Sequence, residues 1–176
     1  VPGLVSTVSS FDELTLVVDP TRIVETCTHL RDEVGFNVLV DISATDYLGY
    51  ADTEVAGYIG TPAGRDINAV GSQGPRRVPE RKPHRFSVSY HLLRVADDPA
   101  RVRVQAWIDE GDELDTVIAV WPGADWYERE VFDFFGIGFR NHPNLTRILM
   151  PEDWVGHPLR KDYPIGGEPV RFSGEE

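Results

Sequence analysis

Prolines at positions 143, 151, 158, 164 and 169 are never more than eight residues apart, so the chain beyond Gly136 cannot form any long helix. Backbone held in irregular form lacks ladder partners, yet every buried N–H and C=O must find one. Side chains then have to supply the bonds, and this part of the chain is dense in groups that do so. Glu128, Arg129, Glu130 and Asp133 precede it. Arg147, Asp153, Arg160, Lys161 and Asp162 lie within it, with His142 and His157 standing directly before Pro143 and Pro158. Arg147 and Arg160 can each fork onto two acceptors, whereas Glu130, Asp133, Asp153 and Asp162 can accept from backbone N–H groups. Pro151 starts a turn in "PEDW", and "LTRILM" reads as a short strand or extended run.

Upstream, hydrophobic patterning predicts regular elements. "LTLVVD" (14–19) is a β-branched strand. In the following segment Asp19 suits a helix cap, Pro20 the first helical position, and Ile23, Cys27, Leu30 and Val34 form one stripe that Gly35 ends. Cys27 is thereby core and not a nucleophile. "FNVLVDISATDYL" (36–48) predicts a strand buried on both faces at its start. Residues 51–83 hold Gly, Pro and Arg without apolar periodicity and predict a long flexible surface loop, whose basic cluster Arg76, Arg77, Arg81 and Lys82 faces solvent or an acidic neighbour. "HRFSVSYHLLRV" and "RVRVQAWID" predict a hairpin turned at "ADDPA". Val102, Val104, Ala106 and Ile108 go to one face, and Arg101, Arg103, Gln105 and Trp107 to the other, which with His91 is solvent or interface.

After a short apolar helix or turn in "DELDTVIAVWPGA", Asp125 is expected to cap a helix from Trp126 to Phe135, closed by Gly136. Helical spacing sends Tyr127, Val131, Phe134 and Phe135 to the core. It sends Trp126, Arg129, Glu130 and Asp133 to another arc, where Arg129 and Asp133 are i,i+4 neighbours. The fold class is α+β, a mixed or antiparallel sheet with a few helices and a long irregular C-terminal arm. Residues 1–135 form the domain, and 136–176 are a docking arm belonging to it.

Catalytic readings fare poorly against this layout. Glu128 and Glu130 diverge on a helix, and an arginine beside Glu130 and Asp133 keeps carboxylates ionised, which suits acceptors better than proton donors. His142 and His157, with Asp133, Asp153 and Asp162, offer metal ligands of a free-standing hydrolase. Yet the histidines are fifteen apart in no ligand motif. No G-x-S-x-G occurs, and "GIG" follows a helix where a dinucleotide loop precedes one. One cysteine excludes a disulfide framework and a cysteine-ligated iron–sulfur cluster within this chain, and points to a reducing compartment. A formal net charge of −12 argues against nucleic acid. No apolar run reaches the roughly 20 residues of a membrane span, so a soluble or peripherally attached protein is expected. The chain begins at Val1 and not at Met, which leaves room for residues before it.

The run from Trp126 to Pro164 resembles the signature of the 30 kDa or C subunit family of proton-pumping NADH:quinone oxidoreductase, respiratory complex I. The matching positions are Glu128, Arg129, Glu130, Asp133, Gly136, His142, Pro143, Arg147, Pro151, Asp153, Gly156, His157, Pro158, Arg160, Lys161, Asp162, Tyr163 and Pro164, with "GHPLRKDYP" the longest unbroken stretch. "GFNVLVDISATDYL" and "RFSVSYHLL" extend the likeness. The resemblance implies a subunit without catalytic or cofactor-binding residues, peripheral on the cytoplasmic face of the membrane. It would dock on the D subunit near the quinone module and meet the B, I and G subunits, with FMN and iron–sulfur clusters held by partner subunits. Exposed aromatics such as Trp154 and Tyr163 would anchor the interface. The related subunit of a membrane-bound hydrogenase or cofactor-F420 dehydrogenase is the alternative. The 51–83 excursion is longer than the family's connection there.

Overall fold

A computed structural model describes residues 1–50 and 81–164, so the predicted loop lies outside the described residues except for its last three positions, as does the arm beyond Pro164. The chain runs β1 (Leu4–Ser10), β2 (Glu13–Val18), a 3₁₀ turn (Pro20–Arg22), α1 (Ile23–Asp32), β3 (Val38–Asp46), β4 (Phe86–Arg94), β5 (Ala100–Ile108), β6 (Glu113–Asp115), α2 (Ala124–Phe135) and β7 (Gly138–Arg140). Five strands form one sheet in the order β1-β2-β5-β4-β3. All neighbours are antiparallel except β2 and β5, which are parallel, and β6 pairs with β7 as a separate parallel ribbon. The class is α+β with a mixed sheet.

One sheet face supplies the core. Phe86, Val88, Tyr90 and Leu92 of β4 alternate with polar residues, as do Val102, Val104, Ala106 and Ile108 of β5, and both rows meet Ile23, Cys27 and Leu30 of α1 and Val131 and Phe135 of α2. Burial pushes the Cys27 thiol far above its ordinary range, so it is inert packing. Asp19 caps as predicted, its Oδ1 accepting from the Thr21 N–H at 2.9 Å, but it caps the 3₁₀ turn that leads into α1.

Three expectations are corrected. β3 is an edge strand with Val38 and Val40 exposed, not doubly buried, because α2 packs on one of its faces and no described element covers the other. Gly123, not Asp125, stands at the N-cap of α2, which begins at Ala124. The chain past Gly136 is not wholly irregular, since Gly138–Arg140 is a strand. β1 escapes sequence reading entirely. Its "LVSTVSS" shows no period-two apolar pattern because all seven side chains are exposed.

Candidate functional site

The C-terminal arm begins where α2 ends. Gly136 adopts φ 71°, and its amide bonds the Phe132 carbonyl at 2.9 Å. A side chain there is excluded twice over, since the left-handed backbone suits glycine and a Cβ would lie 2.6 Å from the His157 ring. That ring occupies the helix end: its Nδ1 donates to the Asp133 carbonyl at 2.9 Å, and the Leu159 amide donates to the Phe134 carbonyl at 3.1 Å. "GHPL" thus caps the last carbonyls of α2, which otherwise have no helical partner.

Asp133, one turn back, holds the arm's first bend. Its buried carboxylate accepts from three successive amides, Ile148, Leu149 and Met150, at 3.1, 2.8 and 2.9 Å, and from Arg147 at 2.6 Å. Burial works to raise its pKa, but those donors outweigh burial and the carboxyl titrates below its ordinary range. Arg147 reaches further. Its other terminal nitrogen donates to the Trp154 and Gly156 carbonyls at 3.2 and 2.9 Å, so one guanidinium bridges α2 to two later points of the arm. Arg129 performs the same task nearby, donating to the Thr146 carbonyl and hydroxyl and to the Arg147 carbonyl.

A second fastening ties the arm's end to the sheet. Asp46, at the end of β3 with no exposed side-chain surface, takes both Nε and Nη2 of Arg85 at 3.2 and 3.0 Å, and it accepts from the Lys161 amide at 2.9 Å. Arg85 also pairs with Asp162 at 2.9 Å and with Glu110 at 2.6 Å. Arg160 pairs with Glu110 and Asp162, and both guanidinium groups lie over the Phe86 ring, their central carbons 4.7 and 5.5 Å from its centre. Asp46 resists burial's upward pull through Arg85 and two backbone donors, and Asp162 is lowered first by Arg85, so both are carboxylates at neutral pH.

Glu128 is different in kind. It is wholly buried, with Oε1 accepting from the Val117 amide at 2.8 Å and Oε2 accepting from the Thr116 hydroxyl, and no arginine among the described residues pairs with it. Burial pushes its pKa up to about 7. His142 lies beside it. His142 Nδ1 accepts from the Asn144 amide at 3.1 Å, leaving the Nε2 proton directed at Asp125 at 3.2 Å and 3.9 Å from Glu128. With both imidazoles held in these bonds, no group of three or more metal-ligating side chains converges among the described residues.

The remaining predicted positions fall outside these fastenings or play smaller parts in them. Glu130, Asp153, Pro143 and Pro164 are exposed, while the Pro151 carbonyl accepts from the Trp154 amide at 3.0 Å to close the predicted turn. The i,i+4 pairing of Arg129 with Asp133 does not form, because α2 turns Asp133 inward to Arg147 and Arg129 outward to Thr146. Glu130 and Asp133 accordingly share no surface. "LTRILM" is not a strand, since its amides wrap Asp133. Trp154 and Tyr163 are half-buried and not exposed, as Arg147 draws in the Trp154 carbonyl and Tyr163 folds onto Gly156. The exposed apolar side chains near the arm are Trp126, Leu149, Val155 and Leu159. Asp46, Arg85 and Glu110 escape sequence reading. The only signal for them is hairpin register, which sets Asp46 opposite Phe86 and so beside Arg85. On the open sheet face His91, Arg101 and Arg103 border a cavity of about 350 Å³, which no arm residue lines and where Arg103 is already paired with Glu13.

A family model for the 30 kDa subunit of respiratory-chain NADH dehydrogenase matches residues 16–169. The C subunit of NADH-quinone oxidoreductase from Vesicomyosocius okutanii is 43% identical over 94% of this chain and 79% of that protein. Its counterpart from Citrifermentans bemidjiense is 42% identical over 88% of this chain and 76% of that protein. Among solved structures, a trypsin-resistant fragment of Nqo5 superposes with a TM-score of 0.60 at 30% identity, covering 80% of this chain and 89% of the fragment.

Proposed function

Since the chain belongs to the 30 kDa subunit family of respiratory-chain NADH dehydrogenase, we propose that it is a structural subunit whose C-terminal arm docks on the D subunit beside the quinone module. On this reading it holds no cofactor and performs no turnover. FMN and iron–sulfur clusters reside in partner subunits, the B, I and G subunits are further neighbours, and the complex lies peripherally on the cytoplasmic face of the membrane. No helix among the described residues is long and apolar enough to cross a bilayer.

The observation that carries the proposal is the consumption of the ionisable groups of α2's end and the arm by fastenings within this chain. Asp133, Arg147, His157, Arg160 and Asp162 each spend their donors or acceptors on fixed backbone or opposite charges. A catalytic acid or base needs a free valence directed at a substrate. Among the side chains the arm turns outward are three large apolar ones, Leu149, Val155 and Leu159, with Trp126 of α2 nearby. Such surface suits burial against a neighbour. Replacing Arg160 or Asp162 by Ala is expected to lower the yield of assembled complex, measured by native electrophoresis of solubilised membranes. Full assembly with quinone reduction abolished would overturn the proposal.

A further inference from the structure

β1 is the outermost strand of the five-stranded sheet, so one row of its backbone N–H and C=O groups pairs with β2 while the other has no neighbouring strand among the described residues. Native sheets guard such edges with charge, bulges or a covering element, because an unguarded edge is a template for strand addition. The opposite edge is guarded in each of these ways. β3 carries Asp41, its register shifts between Leu39 and Asp41, α2 packs against it, and Asp46 at its end is locked into the arm's clamp. β1 shares the bulge, its register shifting between Leu4 and Ser6, but has neither the charge nor a covering element among the described residues. From Val1 to Phe11 no side chain is charged, Leu4, Val5 and Val8 are exposed, and register to β2 is unbroken from Ser6 to Ser10.

The edge is also held in place. At its start the Gly3 carbonyl accepts from the Asp19 amide at 2.9 Å, and the Pro2 carbonyl accepts from the Thr26 hydroxyl at 2.7 Å. At its end Phe11 and Asp12, both with positive φ, make the tight turn into β2. A strand added here meets a preorganised partner and avoids the ordering cost of a free segment.

We infer that β1 is a strand-addition site for an extended segment of another polypeptide of the complex, uncharged at its centre and flanked by Lys or Arg. Main-chain complementarity requires the extended form. Val5, Val8 and the serines favour an uncharged centre, while Asp12 at the hairpin tip, beside a Glu13 already paired with Arg103, favours a basic flank. A second copy of this chain is a poor occupant, because each copy brings a formal net charge of −12. The site lies on the edge of the sheet opposite β3, the strand that holds the arm's clamp, and so gives the subunit an attachment separate from the arm.

Hydrogen–deuterium exchange over Leu4–Ser10 tests this, comparing the isolated full chain across a dilution series with the native assembled complex. Amides that exchange freely in the isolated chain at every concentration should slow by at least about tenfold in the complex. No added protection in the complex would overturn the inference, as would protection of the isolated chain that grows with concentration, the sign of a second copy. A Val5→Lys, Val8→Lys double variant, changing only exposed side chains, should melt like the parent yet lose that protection and assemble poorly, whereas Val5→Thr, Val8→Thr should not. Unaltered protection in the Lys variant would also overturn it. Loss of assembly in arm variants with β1 protection intact in the remaining complex would separate the two attachments.

Discussion

At the scale of single residues, two buried carboxylates on one helix titrate in opposite directions, and the difference follows from their donors. Asp133 collects three amides and a guanidinium, and stays ionised below its ordinary range. Glu128 has one amide and one hydroxyl in place of a guanidinium, and burial holds its proton to about pH 7. A depressed folded pKa contributes stability above the unfolded value and loses it as pH falls through the folded value. Asp133 and Asp46 should therefore release the arm only below about pH 4. A raised folded pKa acts the other way. Between about pH 4.5 and 7 the folded chain binds the Glu128 proton and the unfolded chain does not, so stability should fall as pH rises by roughly 2–3 kcal/mol. Urea midpoints measured from pH 4.5 to 7.5 should show this decline in the parent and a flatter profile in Glu128→Gln, and equal slopes would refute the assignment. Asp133→Asn, which replaces an acceptor of four hydrogen bonds, should cost about 2–4 kcal/mol at pH 7.

At the scale of elements, α2 and its cap are the arm's foundation. Gly136→Ala introduces a side chain at φ 71° and within 2.6 Å of the His157 ring, so at least about 1–2 kcal/mol is expected from the left-handed backbone alone. The displaced His157 should free the Leu159 amide, whose faster exchange would report the loss. Unchanged protection at Leu159 would count against the capping role. This element was largely legible in the sequence, because Val131 and Phe135 repeat at helical spacing and Gly136 marks the stop. Its polar faces were legible only in part. Asp133 could be read as an acceptor of backbone amides, though not which ones, whereas nothing in the periodicity shows that α2 buries Glu128, because Thr116 and Val117 come to meet it from elsewhere in the chain. The β4–β5 hairpin could be read from its alternation and turn. β1 could not, for an edge with both faces exposed leaves no hydrophobic period.

At the scale of the whole molecule, the sheet is a platform and the arm a shaped strap fixed to it at two places, the end of α2 and the Asp46–Arg85 clamp. That clamp joins residues 39 and 115 positions apart, a distance over which no local pattern in the sequence can speak. Family membership, by contrast, was readable from the arm itself, since its unusual run of charge and proline carries the family signature and lies within the stretch that the family model matches. On the proposed function the fastenings shape a surface for assembly and no group in them turns over. Arg147 is the most direct probe, because it touches α2, Trp154 and Gly156 at once. In complexes purified with Arg147→Ala, quinone-reduction turnover should be normalised to the amount of assembled complex. Much less complex with turnover per complex unchanged is the predicted result, and a normal amount of complex with turnover lost would contradict it.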